Sequence, residues 1–441
     1  MTDRIDYVIN EIVDQYHLAD ETNRPWIIGF SGGKDSTVLL QLVWKALQKI
    51  KNDLKAPLNR DVYVVSNDTM VENPIITEYV QRVLDKVELA AIAEDLPIKV
   101  RQTTPRLEDS FWVNMLGKGY PVPNNAFRWC TDRLKIKPTS RFLMEQLDVN
   151  GEATILLGTR KAESATRAKS MKKHSKRGKR LNKHPNHLNA YVYSPIKDLM
   201  LEEIWFIINA MESPWGADNT ELFQIYSDAS ADDYECPTVV TSKDHKSCGQ
   251  SRFGCWTCTV VQEDKSMTSL VENGLDWMQP LLKFRNSLVE ERNIQSNRMN
   301  VRRNGQEGIG PYTPEYRAEK LEELLAVQKE VQTKKPHVKL ITNQELVAIQ
   351  TIWYRDIIFD YKVSDIYNNV YERELPIMKN HDERKQKEEE LLKKACKDDP
   401  MDFKLIQEAL VLMKSKSLLT KKRGLKGDLE KLIEEAVKDT E

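Results

Sequence analysis

The sequence lacks the two features that would place it at a membrane. None of its apolar runs approaches the roughly 20 residues that a transmembrane helix needs. Its first residues, MTDRIDYVINEIV, lack the basic start and apolar stretch of a signal peptide. An excess of one charge is also missing, because 66 basic residues face 67 acidic ones, so the net charge indicates no class of partner. We therefore expect a cytoplasmic protein that makes no membrane contact.

Cysteine is scarce, with six residues in a chain of 441. In a reducing cytoplasm, metal binding or redox chemistry is a more plausible use for them than structural disulfides. The length allows two or three domains with a large hydrophobic core.

The most informative stretch, at residues 26–40, reads WIIGFSGGKDSTVLL. It predicts a buried strand, a glycine turn and the start of an apolar-striped helix. Glycines let the backbone pass close to an anion, and the free N–H groups at the start of a helix point at it. The turn Ser31–Ser36 therefore predicts a phosphate site, in which Lys34 adds a positive charge and the two serines add hydroxyl groups.

This turn is not a Walker A loop, because Gly29 and Gly33 enclose only three residues and Asp35 follows Lys34. The string Ser31, Gly32, Gly33, Lys34, Asp35, Ser36 instead resembles the pyrophosphate loop of the ATP pyrophosphatase superfamily. Members of that superfamily cut ATP between its α- and β-phosphates. The alternative is a plain glycine turn between a strand and a helix.

Strands and helices alternate along the first part of the sequence. Short apolar runs predict strands at 26–30, 61–67, 97–101 and 153–158, and helical spacing predicts helices at 3–18, from 35 to about 51, and at about 74–93. This alternation predicts an α/β fold with a doubly wound parallel sheet, whose ligands bind at the carboxyl ends of the strands. Asp68, Gly158 and Arg160 follow such ends and are expected in one crevice with the glycine turn. Asp35 or Asp68 is the candidate to place Mg²⁺.

Basic residues concentrate after the fourth predicted strand. Arg160, Glu163, Ser164 and Arg167 have the spacing of one helical face, and arginine suits bidentate binding of phosphate. The segment 169–187 has almost no apolar residues, which predicts a flexible basic loop in contact with a polyanion. Solvated charge without a partner is the alternative for both.

Four cysteines lie within 23 residues, at Cys236, Cys248, Cys255 and Cys258, and they predict a four-cysteine metal site. Zinc and an iron–sulfur cluster are both candidates. Because only the last pair has the Cys-x2-Cys spacing that a zinc ribbon shows twice, the spacing favours the cluster. Cys396 is expected to be incidental.

Beyond residue 280 the sequence is helical in pattern and highly charged. Arg302 and Arg303 precede a turn, and helices are predicted at about 314–334 and 343–360. We divide the chain into four parts: a leading helix at 1–20, a nucleotide domain at 21–215, a cysteine segment at 216–315 and a charged helical module at 316–441.

Three further stretches, taken with Ser31–Ser36, resemble a known family. They are RWCTDRLK at 128–135, GTRKAESATR at 158–167 and CGQSRFGCWTC at 248–258. Together they resemble the phosphoadenosine-phosphosulfate (PAPS) reductase-like branch of the ATP pyrophosphatases. Within that branch they are similar to the DndC family, the sulfurtransferases of bacterial DNA phosphorothioation. The resemblance covers about residues 20–315.

This resemblance implies an adenine nucleotide α-hydrolase-like fold and cleavage of ATP to AMP and pyrophosphate. It implies that sulfur replaces a non-bridging oxygen of a DNA phosphate. A 4Fe–4S cluster would be bound by Cys236, Cys248, Cys255 and Cys258. A cysteine desulfurase would donate the sulfur, and other proteins of the Dnd system would be partners.

The chemistry also assigns roles to single residues. Lys34 and Asp35 are the expected catalytic residues at the nucleotide. Cys130 is the candidate to carry a persulfide, because basic neighbours favour its thiolate, and a half-buried structural thiol is the alternative. The candidates for contact with phosphate or DNA are Arg128, Lys135, Glu163, Arg167, Arg302 and Arg303.

Other functions stay open at this point. A PAPS reductase is one, although the Glu-Cys-Gly-aliphatic-His string of those enzymes is missing from this sequence. A tRNA thiolase is another, since it also pairs a pyrophosphate loop with a cluster. The non-enzymatic alternative is a zinc-stapled DNA-binding subunit with a vestigial loop.

Overall fold

The computed structural model describes residues 2–17, 23–174, 180–228, 254–303, 305–356, 358 and 360–373, then 390–396 and short pieces between 399 and 433. The chain divides into two units. The first holds residues 1–111 and 122–292, and the second holds residues 112–121 and 293–441. The four-part division made from the sequence remains a prediction.

A six-stranded sheet forms the centre of the first unit. Its strands are β1 (Trp26–Gly29), β2 (Val62–Asn67), β3 (Ile98–Thr103), β4 (Ala153–Leu156), β5 (Asn182–Lys183) and β6 (Ala190–Tyr193). They lie in the order β3-β2-β1-β4-β6-β5, and only the β5–β6 pair is antiparallel. The predicted doubly wound α/β fold is confirmed. The strand order reverses between β1 and β4, and ligands of such sheets bind at this point.

Helices connect the strands and extend the first unit. They are α1 (Thr2–His17), α2 (Lys34–Gln48), α3 (Pro74–Ala93), α4 (Lys137–Asn150), α5 (Ala165–His174), α6 (Leu201–Ala210), α7 (Asn219–Asp228), α8 (Lys265–Glu272) and α9 (Gln279–Glu291). The prediction for α3 is confirmed at both ends. Its start is well specified, since Asn73 accepts a hydrogen bond from the Ile75 N–H at 3.1 Å and Pro74 fills the first helical position.

The helix that follows the glycine turn is deeply buried. Every residue of α2 except Lys45 and Gln48 is buried, and α1 and α6 pack against it. In another part of the core, Phe142 and Leu143 of α4 pack with Ile27 and Ile155 of the sheet. Each fully buried side chain of this kind contributes about 1.5–3 kcal/mol. Burial therefore stabilises both α2 and the strands β1 and β4.

The prediction of one flexible loop over 169–187 is wrong at both ends. Helix α5 extends to His174, and β5 pairs antiparallel with β6. Between them, Arg180 Nη2 lies 2.5 Å from Glu11 Oε1 of α1, and residues 175–179 fall outside the described part. Lysine and arginine have good helix propensity, and an edge strand is held by backbone hydrogen bonds, so neither element needs an apolar stripe.

The second unit is helical where it is described. Its helices are α10 (Pro314–Lys334), α11 (Asn343–Arg355) and α12 (Val363–Tyr371). The α10 bounds confirm the prediction, whereas α11 ends earlier than predicted. Residues 112–121 belong to this unit, and the Trp353 indole donates to the Leu116 carbonyl at 2.8 Å. Across the described residues of both units, no helix has the length and apolar character needed to cross a membrane.

Candidate functional site

The glycine turn after β1 has a backbone that only glycine suits. Gly32 has φ +75°, and a Cβ placed there would lie 2.4 Å from Val80 Cγ2 of α3. The turn is closed by the Ser36 hydroxyl, which donates to the Gly33 carbonyl at 2.9 Å and accepts from the Ser31 N–H at 3.3 Å. The local sequence therefore holds the start of α2 in one conformation, with its first N–H groups at the turn.

Three charged side chains are buried beside this turn. Arg160 Nε lies 2.5 Å from Asp35 Oδ1, and Lys34 Nζ lies 3.5 Å from Asp35 Oδ2. Lys34 is 0% exposed and Arg160 is 2% exposed, so two buried cations share one carboxylate. A buried charge is costly unless it is compensated. Two buried cations beside a helix N-terminus suit a polyanionic ligand such as pyrophosphate.

A close approach of the β4 end to α2 makes this pairing possible. A Cβ at Gly158 would lie 2.9 Å from the carbonyl carbon and oxygen of Asp35, and 3.1 Å from the Ser36 nitrogen. Glycine is therefore required where the two segments touch. Arg160 follows two residues later, and its side chain contacts Asp35. The backbone N–H of Arg160 donates to Glu163 Oε1 at 3.2 Å.

The prediction that four residues after β4 share one helical face is wrong. Arg160 and Ser164 have extended backbones, a single 3-10 turn lies between them, and α5 begins at Ala165. The physical reason is that Arg160 turns inward to a buried carboxylate, and Glu163 turns back to cap the short turn. The side chain of Arg167, on α5, lies outside the described part.

A second group of polar residues lies after β2, at the same edge of the sheet. Asp68 Oδ1 accepts from the Met70 N–H at 2.7 Å, and burial raises the pKa of Asp68. The Thr69 hydroxyl donates to Glu72 Oε1 at 2.9 Å and lies 3.3 Å from the Cys255 sulfur. This hydroxyl links a carboxylate of the nucleotide fold to a cysteine 186 residues away in the sequence.

The Cys255–Cys258 turn is docked on this loop through its backbone. Glu72 and Cys255 form an antiparallel bridge, and the Trp256 N–H donates to the Val71 carbonyl at 3.0 Å. The turn itself is closed by the Cys258 N–H, which donates to the Cys255 carbonyl at 3.0 Å. Two cysteines therefore sit at the carboxyl end of β2, the strand next to the one that carries the glycine turn.

The electrostatic setting of this pair suits a metal-bound thiolate. Burial and the neighbouring Glu72 raise the pKa of the Cys255 thiol well above its usual range, and Lys135 opposes them. A thiol in such a place remains protonated until a metal ion replaces the proton. Within the described residues, no three side chains form a metal-binding group, and Cys236 and Cys248 lie outside them. The described pair fits one half of a four-thiolate set.

The segment around Cys130 lies against the end of β2 as well. Cys130 is half-buried and precedes a π-helical turn at Thr131–Ile136, whose Leu134 carbonyl accepts from the Asn67 side chain at 3.0 Å. Lys135 lies in the same turn. Its positive charge opposes the rise in pKa that burial causes at both Glu72 and Cys255. The structure thus brings Lys135 to the cysteine turn, while the persulfide role of Cys130 stays a prediction.

Arg128 shows an incompletely paired guanidinium. Its Nη2 lies 2.5 Å from Asn125 Oδ1, but its buried Nε and Nη1 have no hydrogen-bond partner among the described residues. Arg302 and Arg303 belong to the second unit, where both are exposed. The Arg303 guanidinium lies 4.4 Å from the Tyr120 ring centre and donates to the Lys118 carbonyl.

Three residues of this region were missed by sequence reasoning. Thr69 was placed with Asp68 at the end of the predicted second strand but was given no role at the site, and Glu72 lies only three residues further on. The third residue is Tyr226 of α7, whose hydroxyl lies 3.3 Å from the backbone nitrogen of Lys34. No local sequence pattern indicated this contact.

Comparison with known proteins supports the nucleotide-binding interpretation. The model of the phosphoadenosine phosphosulfate reductase domain family matches residues 25–261, more than half of the chain. A relative, an uncharacterized protein of Methanocaldococcus jannaschii, is 28% identical over 196 residues, which is 44% of this chain and 34% of that protein. The chain thus matches about one third of that relative's length.

Several solved structures show a distant likeness. The FMN adenylyltransferase of Candida glabrata with FAD and inorganic pyrophosphate is 14% identical, with 53% of this chain and 59% of that chain covered and a TM-score of 0.30. The PAPS reductase of Candida auris in a phosphate complex is 13% identical, with coverages of 48% and 89% and a TM-score of 0.29. The U34-tRNA thiolase NcsA of Methanococcus maripaludis with its 4Fe–4S cluster is 14% identical, with coverages of 65% and 80% and a TM-score of 0.28. Such values assign no activity to this chain.

Proposed function

The chain belongs to the phosphoadenosine phosphosulfate reductase domain family, and we propose that it is an ATP pyrophosphatase that transfers sulfur to a DNA phosphate, as the DndC sulfurtransferases do. One observation carries the proposal. The Cys255–Cys258 turn is docked on the loop after β2, at the sheet edge that also holds the glycine turn and Arg160. This common edge supports a function in which nucleotide and thiol chemistry share one crevice.

In the first step, the site activates a poor leaving group. A non-bridging oxygen of the DNA phosphate attacks the α-phosphorus of ATP, a new P–O bond to AMP forms, and pyrophosphate leaves. The negative charge that develops on pyrophosphate is stabilised by the N–H groups of Ser31–Ser36 and by the buried cations Lys34 and Arg160. Because Asp35 already binds both cations, Asp68 is the better candidate to place Mg²⁺.

In the second step, a sulfur nucleophile attacks the activated DNA phosphorus. A P–S bond forms, and the bond between the DNA phosphorus and the former non-bridging oxygen breaks, so AMP leaves with that oxygen. Cys236, Cys248, Cys255 and Cys258 would hold a 4Fe–4S cluster, which when bound would supply an iron site for the transferred sulfur once one cysteine ligand is released. Lys135 partly offsets the burial and the Glu72 charge, which disfavour anionic sulfur at Cys255.

The acceptor would be held by basic side chains. Arg128 has buried N–H groups without a partner in the described residues, and such groups gain most from a phosphate oxygen. Arg302 offers an exposed cation in the second unit. DNA, a cysteine desulfurase and other proteins of the Dnd system are the partners that this proposal requires.

Product analysis tests both steps. With ATP, DNA and sulfide as the sulfur donor, the protein should release AMP and pyrophosphate in equal amounts, as measured by chromatography and ³¹P NMR. Arg160→Gln should lower the rate about 10- to 100-fold, because it removes a charge-assisted contact worth about 1.5–3 kcal/mol. Lys161→Gln is the matched control, since the Lys161 side chain is 51% exposed and pairs with Asp198. Formation of ADP and phosphate would overturn the proposal.

A further inference from the structure

One aromatic side chain from outside the glycine turn contacts the turn at Lys34. The Tyr226 hydroxyl accepts a hydrogen bond from the Lys34 N–H, the first amide of α2, at 3.3 Å. The Tyr226 ring lies 5.1 Å from Lys34 Nζ. The side chain is only 6% exposed. It therefore touches both groups of Lys34 that the proposed function assigns to phosphate.

The position of Tyr226 is set by the packing of α7. Its ring meets the Trp205 ring of α6 edge to face, with centroids 5.3 Å apart. At the start of α7, the Asn219 amide donates to the Ile208 carbonyl at 2.8 Å, and Glu221 pairs with Arg82 of α3. The hydroxyl is thus fixed at the turn by contacts on two neighbouring helices.

We propose that the Tyr226 hydroxyl is a ligand of the pyrophosphate group of ATP. A phosphate oxygen that binds the Lys34 N–H comes within reach of this hydroxyl, which then donates its proton to the oxygen. A hydrogen bond to a charged acceptor is stronger than the neutral one between the hydroxyl and the amide. Replacing the contact between hydroxyl and amide by contacts of both groups with a phosphate oxygen therefore favours pyrophosphate binding. The ring holds the Lys34 ammonium by a cation–π contact and keeps it at the turn.

This inference rests on the proposed function, because it names a further residue of the same nucleotide site. Helix α7 ends at Asp228, shortly before Cys236 in the sequence, and Cys255 returns to the loop after β2. The described residues on either side of 229–253, at the end of α7 and at Cys255, therefore both contact segments of the nucleotide site.

Tyr226→Phe isolates the hydroxyl, since the variant keeps the ring over Lys34 and its contact with Trp205. Binding of pyrophosphate and of AMP to the whole chain is measured by calorimetry. Pyrophosphate binding should weaken about 10-fold, equivalent to about 1.4 kcal/mol, while AMP binding should change less than twofold. Phe223→Leu is the control, because Phe223 lies on the same helix and also contacts Trp205 but is 50% exposed. It should bind both ligands as the wild type does.

The possible outcomes separate the two claims. Unchanged or tighter pyrophosphate binding by Tyr226→Phe would overturn the ligand role and leave the proposed function standing. An equal loss for pyrophosphate and AMP would also overturn it, because a general disturbance of α7 explains that pattern. A wild-type protein that binds neither ATP nor pyrophosphate would overturn the proposed function, and the role of Tyr226 with it.

Discussion

Replacing Asp35 by asparagine tests the buried charge group at the start of α2. Lys34 and Arg160 are almost fully buried, and Asp35 is the carboxylate that contacts both. Asp35→Asn removes the carboxylate that both buried cations contact but changes the side-chain volume little. Removal of one partner from a buried ion pair destabilises a protein by about 3–5 kcal/mol. We expect a loss of this size in the free energy of unfolding.

The assay is urea unfolding of the full chain, followed by tryptophan fluorescence with and without pyrophosphate. Pyrophosphate should restore part of the lost stability, because it neutralises the two cations and binds only the folded protein. Asp68→Asn is the matched control. Asp68 also follows a strand end, but it accepts a backbone hydrogen bond that asparagine can keep, so its loss should be about 1 kcal/mol or less.

A loss below about 1 kcal/mol for Asp35→Asn, equal to that of the control, would refute the reasoning. It would mean that water or another group compensates Lys34 and Arg160. A large loss that pyrophosphate does not reduce would keep the buried ion pair but contradict its role as an anion site.

Three further predictions concern Gly158, His184 and the cysteines. Gly158→Ala should cost about 1–3 kcal/mol in urea unfolding and slow AMP formation, because its Cβ would meet the Asp35 backbone at 2.9 Å; unchanged stability would contradict this close approach. Burial and neighbouring His187 lower the pKa of His184 from 6.5 to about 4. Stability from this group should be complete above pH 6.5 and fall by about 1–2 kcal/mol towards pH 4, after allowance for partial exposure; a similar fall in His184→Asn would disprove it. Anaerobically purified protein should be brown with about four irons, and Cys255→Ser should lose iron whereas Cys396→Ser keeps it; a colourless wild type with one zinc would exclude the cluster.

Local patterns carried the prediction of the fold. The β-branched run before Asn67 and the start of α3 are each determined by residues that are adjacent in the sequence. The structure places both elements within one residue of the prediction. The convergence of the glycine turn, Asp68 and Gly158 followed from a general property of parallel sheets, namely that their strand ends share one edge.

Contacts between residues far apart in the sequence could not be predicted from local patterns. Arg160 and Asp35 are 125 residues apart, and Tyr226 and Lys34 are 192 apart, so no local spacing indicates either contact. The same limit explains the wrong helical face after β4, because i, i+3 and i+4 spacing cannot show that Arg160 turns to a distant carboxylate. In segment 169–187, apolar periodicity was absent, and a solvent-facing helix and an edge strand were therefore not recognised.

DNA is the proposed acceptor of the sulfur. The most direct measurement is mass spectrometry of nuclease-digested DNA and tRNA from cells that carry or lack the gene for this chain. Without the gene, sulfur should disappear from nuclease-resistant DNA dinucleotides and remain in tRNA nucleosides. The wild-type gene should restore it, and the Arg160→Gln gene should restore little. Loss of sulfur from tRNA with unchanged DNA would contradict the account and favour a tRNA thiolase.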